Sequence, residues 1–448
     1  MKHATANSFL LQTVGASLSL FVACQTAGHP NDEPNDAGTR GQPHGLVNHS
    51  PIITTIAGTS QGIDGYVNGS GQVAQFRFPE GMALNKDASK LFIIDERNDA
   101  IRQIDLASNQ VSTVAGALPA NGNGTSGVED GVGTSARLNN PRSVVVDAAR
   151  ENLYFTDTGN FAIRKFNIAT QMVTTIAGGK PGSSDGTGTA AQFSNVDANN
   201  QPGLWAGGLA LDESDPAHTV LYIADSANET LRQMDLATTE VTTIAGQVGV
   251  RGSVDGPAAQ ALFNKPNQLI LDGQGHLLIG ESDNPDIRRL DLATLNVETV
   301  AGLAPPQPDL VCDDANPNFR PGVPPQEFEP ANCDSTDGPG NVARFRFPFG
   351  MALNADRTKV FIVDAHNDEV REMTIDGSDF TVTTIAGVLQ IEVKDDPHPS
   401  HDTVVAANGS VTTPGTFAHP ADVVFVQPNI LYISDRSARS IRKVVLGQ

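Results

Sequence analysis

Basic side chains are in short supply in this chain of 448 residues: 29 Lys and Arg stand against 51 Asp and Glu, a formal net charge of −22. A surface of that sign repels phosphate backbones, so the balance argues against nucleic acid as a partner. It is compatible with plain solubility, with divalent cations or with basic partners. Cysteine is scarce too, with only Cys24, Cys312 and Cys333, which allows one internal disulfide at most. Long apolar runs are missing apart from residues 9–23, and that stretch is too short to span a bilayer. There is no Gly-x-Ser-x-Gly elbow, and no Ser-His-Asp or Cys-His arrangement can be picked out.

What the chain does have is repetition. Val-Thr-Thr-Ile-Ala-Gly stands at 173–178 and again at 241–246, with variants at 53–58, 111–116, 297–302 and 382–387. Each of the last five is preceded by an apolar-Arg pair: Ile101-Arg102, Ile163-Arg164, Leu231-Arg232, Ile287-Arg288 and Val370-Arg371. A sixth pair, Ile441-Arg442, comes near the end with no such strand after it. One spare strand at the start and one missing strand at the end mark a repeat closed into a ring.

Within the first unit, 81–85, 91–95, 100–105 and 111–116 are four β-rich runs divided by turn formers such as Asn85-Lys-Asp-Ala-Ser. Runs such as Leu153-Tyr-Phe-Thr and Leu221-Tyr-Ile-Ala show little apolar/polar alternation, as a sheet covered on both faces requires. The expected fold is all-β, a six-bladed β-propeller with four antiparallel strands per blade over residues 50–448. The strand at 53–58 closes the ring by completing blade six and removing two open edges.

These residues resemble the NHL-repeat family of six-bladed propellers. The first unit carries the family pattern as Asp64-Gly65, Ala74-Gln-Phe76, Pro79-Glu-Gly81, Asp95, Asn98 and Ile101-Arg102. The fifth repeats it with Asp337-Gly338, Ala343-Arg-Phe345, Pro348-Phe-Gly350, Asp364, Asn367 and Val370-Arg371. Departures are local: Trp205-Ala206 replaces the Pro region of unit three, Glu281 replaces the Asp of unit four, and Ala438 the Asn of unit six. The family includes an amidating lyase, sensor domains of bacterial kinases, RNA-binding regulators and adhesion modules. The resemblance implies architecture and leaves function open.

Residues 1–24 read as an export signal, with Lys2 followed by the apolar stretch and ending in Phe21-Val-Ala-Cys24. That end is similar to a bacterial lipobox, which would make Cys24 a lipidation site; an ordinary signal peptide with an incidental cysteine is the alternative. Residues 25–49 are rich in Gly, Pro, Asn, Asp and His and are expected to form a disordered tether. Together these features predict an exported protein of the bacterial cell envelope, either lipid-anchored or secreted, touching the membrane only through the anchor. In such a compartment a disulfide between Cys312 and Cys333 is expected, with a two-cysteine metal site as the alternative.

The Asp-Gly segment leading to the Pro and the Asp-x-x-Asn turn should emerge on one face, together with the insertions at 192–205, 303–336 and 388–416. Loops carry function more readily than the strands beneath them. The recurring Asp95, Asp157, Asp225, Glu281, Asp364 and Asp435 are expected to serve the scaffold, accepting turn amides and the Arg of each apolar-Arg pair. Their Asn neighbours, such as Asn98, are expected to take left-handed geometry, and the Asp-Gly pairs, Asp64-Gly65 included, to be turns before they are calcium ligands. Positions that differ between equal repeats carry more functional information. Before the Pro the units read Phe78, Asn140, Trp205, Lys265, Phe347 and His419; after it they read Glu80, Arg142, Gly207, Asn267, Phe349 and Ala421. These should flank the channel mouth and suit a protein, glycan or small-molecule ligand. Candidate ligand-binding residues are Arg346, Phe347, Phe349, His366, His419, Trp205, Lys265 and Arg142.

The lyase relative holds a metal with channel histidines, which the resemblance would carry over to His366 and His419. His398 and His401, in an Asp- and Pro-rich loop, are a weaker metal pair. No cofactor is expected beyond a possible divalent cation. The reading is a ligand- or partner-binding propeller, with the question of catalysis left open by the sequence; the alternatives are a metal-dependent lyase or hydrolase at the channel mouth, and a structural or adhesion module.

Overall fold

The computed structural model describes residues 51–59, 62–117, 126–194, 207–215, 218–302, 335–387 and 417–447. Trp205, Cys24, Cys312, Cys333, His398 and His401 lie outside the described residues, as do the expected signal and tether.

Six antiparallel sheets form the six blades of a propeller. Blade one has its inner strand at Pro79–Leu84, then Lys90–Asp95, Ala100–Asp105 and the outer strand Gln110–Ala115. The other blades repeat this from inner strands at Pro141–Val146, Leu209–Asp212, Pro266–Leu271, Pro348–Leu353 and Pro420–Val426. Blades one to five add a two-residue strand outside the four expected, for instance Gly69–Ser70 on the outer strand of blade one. Blade six takes its outer strand from the other end of the chain: Ile52–Ala57 pairs with Ser440–Val445.

That closing strand reproduces a detail of the others. Wherever an apolar-Arg strand meets its outer neighbour, the ladder slips by one residue, as between Ile163 and Arg164 opposite Ala177 and Thr175. The same bulge falls between Thr55 and Ala57 opposite Arg442 and Ile441. The repeat thus encodes a bulge as well as a strand.

The core is divided into layers between blades. One apolar cluster joins Ala83, Phe92 and Ile94 of blade one to Leu153 and Phe155 of blade two, and another joins Ala57 and Ile441 of blade six to Ile93 and Phe76. The second strand of every blade is buried from its second residue to its last. Coverage on both faces accounts for the missing alternation in the sequence.

The motif residues hold each blade from within. In blade three, Arg232 is fully buried and donates to Asp225 at 2.9 Å, to Asp185 at 2.7 Å and to the carbonyls of Gln192 and Ser184. Asp225 also accepts Asn228 and the amide of Ser194. The scaffold role expected for these carboxylates is what the structure displays. Two details differ from expectation. In blade one the partner of the buried arginine is Asn68, so Asn68-Gly69 takes the place given to Asp64-Gly65; Asp64 pairs instead with Arg439 of blade six. The left-handed residue of the turn is the one after the Asn, namely Asp99, Phe161, Glu229 and Asp368, because the Asn side chain is committed to the carboxylate. The Gly of Pro-x-Gly has its own reason: a Cβ on Gly81 would lie 2.6 Å from the Arg142 carbonyl, so the inner strands could not approach the axis so closely.

Candidate functional site

The six residues after the Pro do form one ring. Glu80, Arg142, Gly207, Asn267, Phe349 and Ala421 all line a small cavity of about 30 Å³ at the neck of the channel. The residues before the Pro stand above them, in left-handed backbone: φ is 59° at Phe78, 47° at Asn140, 52° at Lys265 and 55° at His419. That geometry is held across blades. Asp99 accepts the amide of Asn140 at 2.8 Å, Glu229 that of Lys265 at 2.6 Å and Asp368 that of His419 at 2.6 Å. Blade four presents Pro285 at the position of these acids, and Phe347 beyond it has moved to φ 103°, outside the left-handed well for a residue with a Cβ.

Phe347 sits in a stack of rings from blades five and six. It lies 5.4 Å from Phe349 and 4.6 Å from His366, nearly parallel to both, and 6.2 Å from His419. The two histidine rings are 5.0 Å apart. They come together as the lyase analogy requires, but among the described residues no three His, Cys, Asp or Glu are grouped to hold a metal. Burial holds the His419 imidazole well below its usual range, and the charges of His366, Arg436 and Arg142 push the same way, so His419 is neutral at pH 7. Arg142 is placed over Phe349, 5.6 Å from the ring centre. Lys265, at the start of blade four beside blade five, is paired with Asp283 at 2.6 Å. Arg346 enters through its backbone, donating its amide to Asp364.

Charged residues that the sequence analysis did not select complete this side of the mouth. Arg436 reaches from blade six to Glu80 at 2.6 Å and Glu96 at 3.4 Å in blade one, and lies 4.5 Å from the centre of Phe78. Arg142 approaches Glu80 from blade two at 3.3 Å. Burial works against ionisation of Glu80, but Arg142 and Arg436 outweigh it and hold its pKa below the usual value. Burial and the neighbouring Glu80 charge raise Glu96. The two carboxyls share the arginines with opposite shifts, Glu80 lowered and Glu96 raised. The signal was available: the residue after the scaffold acid reads Glu96, Thr158, Ser226, Ser282, Ala365 and Arg436, a position that varies between equal repeats.

One residue further along the inner strands, Gly81, Ser143, Gly208, Gln268 and Asp422 also line the neck, and Gln268 and Asp422 border a larger space below it as well. Asp422 accepts the amide of Met82 at 2.7 Å, and burial pushes its pKa up to about 7 from 3.8. A carboxyl with a raised native pKa binds its proton more tightly when folded. Its contribution to stability is therefore greatest in acid and is lost as pH rises from about 4 to about 7. Asp422→Asn keeps an acceptor for Met82 and removes the titration. The variant should gain stability over wild type progressively between those pH values, as read from urea midpoints.

No protein-family model matches the chain. Among curated proteins, the Arabidopsis thaliana Protein SUPPRESSOR OF QUENCHING 1, chloroplastic, is 26% identical over 337 residues, 73% of this chain and 28% of that protein. NHL repeat-containing protein 2 of Homo sapiens is 30% identical over 188 residues, 41% of this chain and 24% of that protein. The chain spans under half the length of these relatives. A Bacteroides thetaiotaomicron structural genomics protein of unknown function superposes with a TM-score of 0.57 at 19% identity, covering 89% of this chain and 76% of that one. An auxiliary nutrient binding protein from the same species reaches 0.55 at 16%, covering 89% and 77%. Fold and mouth together define a six-bladed β-propeller. The repeat motifs and the relatives named NHL repeat-containing protein 2 support an NHL-repeat propeller family for this chain.

Proposed function

We propose that this protein is an extracytoplasmic propeller that binds a ligand or partner on its loop-rich face, tethered to the cell envelope through a lipidated Cys24. The ring stack of Phe347, Phe349, His366 and His419 beside Arg142 carries the reading. It offers half-buried aromatic faces with a cation at their edge, the combination that receives the flat face of a sugar or an aromatic nutrient. That two structural neighbours are called auxiliary nutrient binding proteins supports testing small nutrients first. Export and anchoring rest on residues 1–24 of the sequence.

A glycan and nutrient array probed with the purified protein tests the binding. For any hit, Phe347→Ala or His419→Ala should weaken affinity by about 1 kcal/mol or more, as truncating a buried anchor does. Binding unchanged in both variants would place the ligand elsewhere. Cys24→Ala should move the protein out of the membrane fraction or block its maturation; unchanged fractionation would leave an ordinary signal peptide. A metal-dependent lyase or hydrolase is the second reading, favoured by the 5.0 Å approach of the neutral His419 to His366. Metal analysis of the purified protein, with His366→Ala as control, separates the two.

A further inference from the structure

Below the neck, on the face away from the ring stack, the channel widens into a chamber of about 700 Å³. That volume lies within the roughly 300–1,000 Å³ of small-molecule sites. All six inner strands line it, with Met82, Val145, Leu211, Ile270, Leu353 and Val424 supplying one apolar side chain per blade. The rim holds charges of both signs: Arg150 and Arg357 on one side of the balance, Asp212 and Glu213 on the other. At the narrow end, between chamber and neck, stands Asp422.

Asp422 is out of pattern in two ways. Its counterparts in the other blades are Gly81, Ser143, Gly208, Gln268 and Gly350, so the scaffold does not need an acid there. Each of the six repeated scaffold carboxylates, moreover, has an arginine within 3.3 Å. Among the described residues no Lys or Arg forms an ion pair with Asp422, and the ionised group that acts on it is Glu80, of the same sign. An acid facing an apolar chamber without a counter-ion is costly to ionise unless a cation comes to it.

We propose that this chamber binds a small apolar molecule carrying one primary ammonium group, which pairs with the Asp422 carboxylate while its hydrocarbon packs on the strand side chains. The inner strands are the edges of their sheets, so their backbone carbonyls can accept the remaining ammonium protons. The net charge of −22 draws cations toward the opening.

Hexylamine, hexanol and hexanoate, titrated calorimetrically into the full chain, test the assignment. Hexylamine should bind saturably at one site, and hexanol and hexanoate more weakly. Asp422→Asn should lower hexylamine affinity by about tenfold or more, the effect of losing a hydrogen bond to a charged group. Ile270→Trp, which fills the chamber from blade four, should abolish binding without touching Asp422. Phe347→Ala, on the other face, should leave it unchanged. No saturable binding, hexanol binding as tightly as hexylamine, or equal affinity in Asp422→Asn would overturn the proposal. Loss of binding in Phe347→Ala would overturn it as well, by moving the amine to the upper mouth.

Discussion

Deleting residues 52–58 is expected to unfold the propeller as a whole and not merely to fray blade six. The deletion removes the partner of Ser440–Val445 and, with Ala57, part of the apolar layer between blades six and one. Each lost ladder hydrogen bond costs roughly 1 kcal/mol, and a bare strand edge is left open to other chains. The closing strand pairs within blade six and runs on by chain into blade one, and the seam between the two blades also holds the Gly58 amide on the Gly71 carbonyl, the Met82 amide on Asp422, and Arg436 with Glu80 and Glu96. Thermal melts of the deletion variant should show a much lower midpoint or no cooperative transition. Placing the same seven residues after Gln448 should restore stability, because blades one to five all take their outer strand from immediately after the third. An unchanged midpoint in the deletion variant would refute the ring closure.

Arg232→Ala is expected to cost about 3–5 kcal/mol, the usual penalty for removing one partner from a buried ion pair. The arginine has no exposure, and its loss leaves the Asp225 carboxylate buried with only Asn228 and an amide for compensation. It also releases Asp185 and two carbonyls at the loop that enters the blade. Arg232→Lys should recover little, since an ammonium cannot reach both carboxylates and both carbonyls in the plane of a guanidinium. Urea unfolding measures both. Ligand affinity of the folded fraction should stay unchanged, which separates these scaffold residues from Phe347 and His419.

The contrast between these two sets was already legible in the repeats. Whatever returns six times, such as the scaffold acid, the arginine and the strand with its bulge, serves a geometry that every blade shares. Whatever differs at one position of otherwise equal units faces the axis, where the six blades meet and only one surface is made. That reasoning located the ring from Glu80 to Ala421; the pair of histidines came from the resemblance to the lyase relative. It missed Glu96, Arg436 and Asp422, although the same comparison applied to two further positions contains them.

The sequence by itself determined the number of blades, the order of their strands and the closing of the ring, because these follow from local motifs whose period can be counted. Other features depended on contacts between blades. Arg436 meets Glu80 and Glu96 only because the last blade is brought against the first, across 340 residues of chain in the contact to Glu96. Asp422 reaches Met82 over the same separation. The stacking of Phe347 on His366, the opposite pKa shifts of Glu80 and Glu96, and the chamber below Asp422 depend on distances around an axis that no single repeat contains. Periodicity fixes what each blade is; the burial and charge at the axis are set only when all six are assembled.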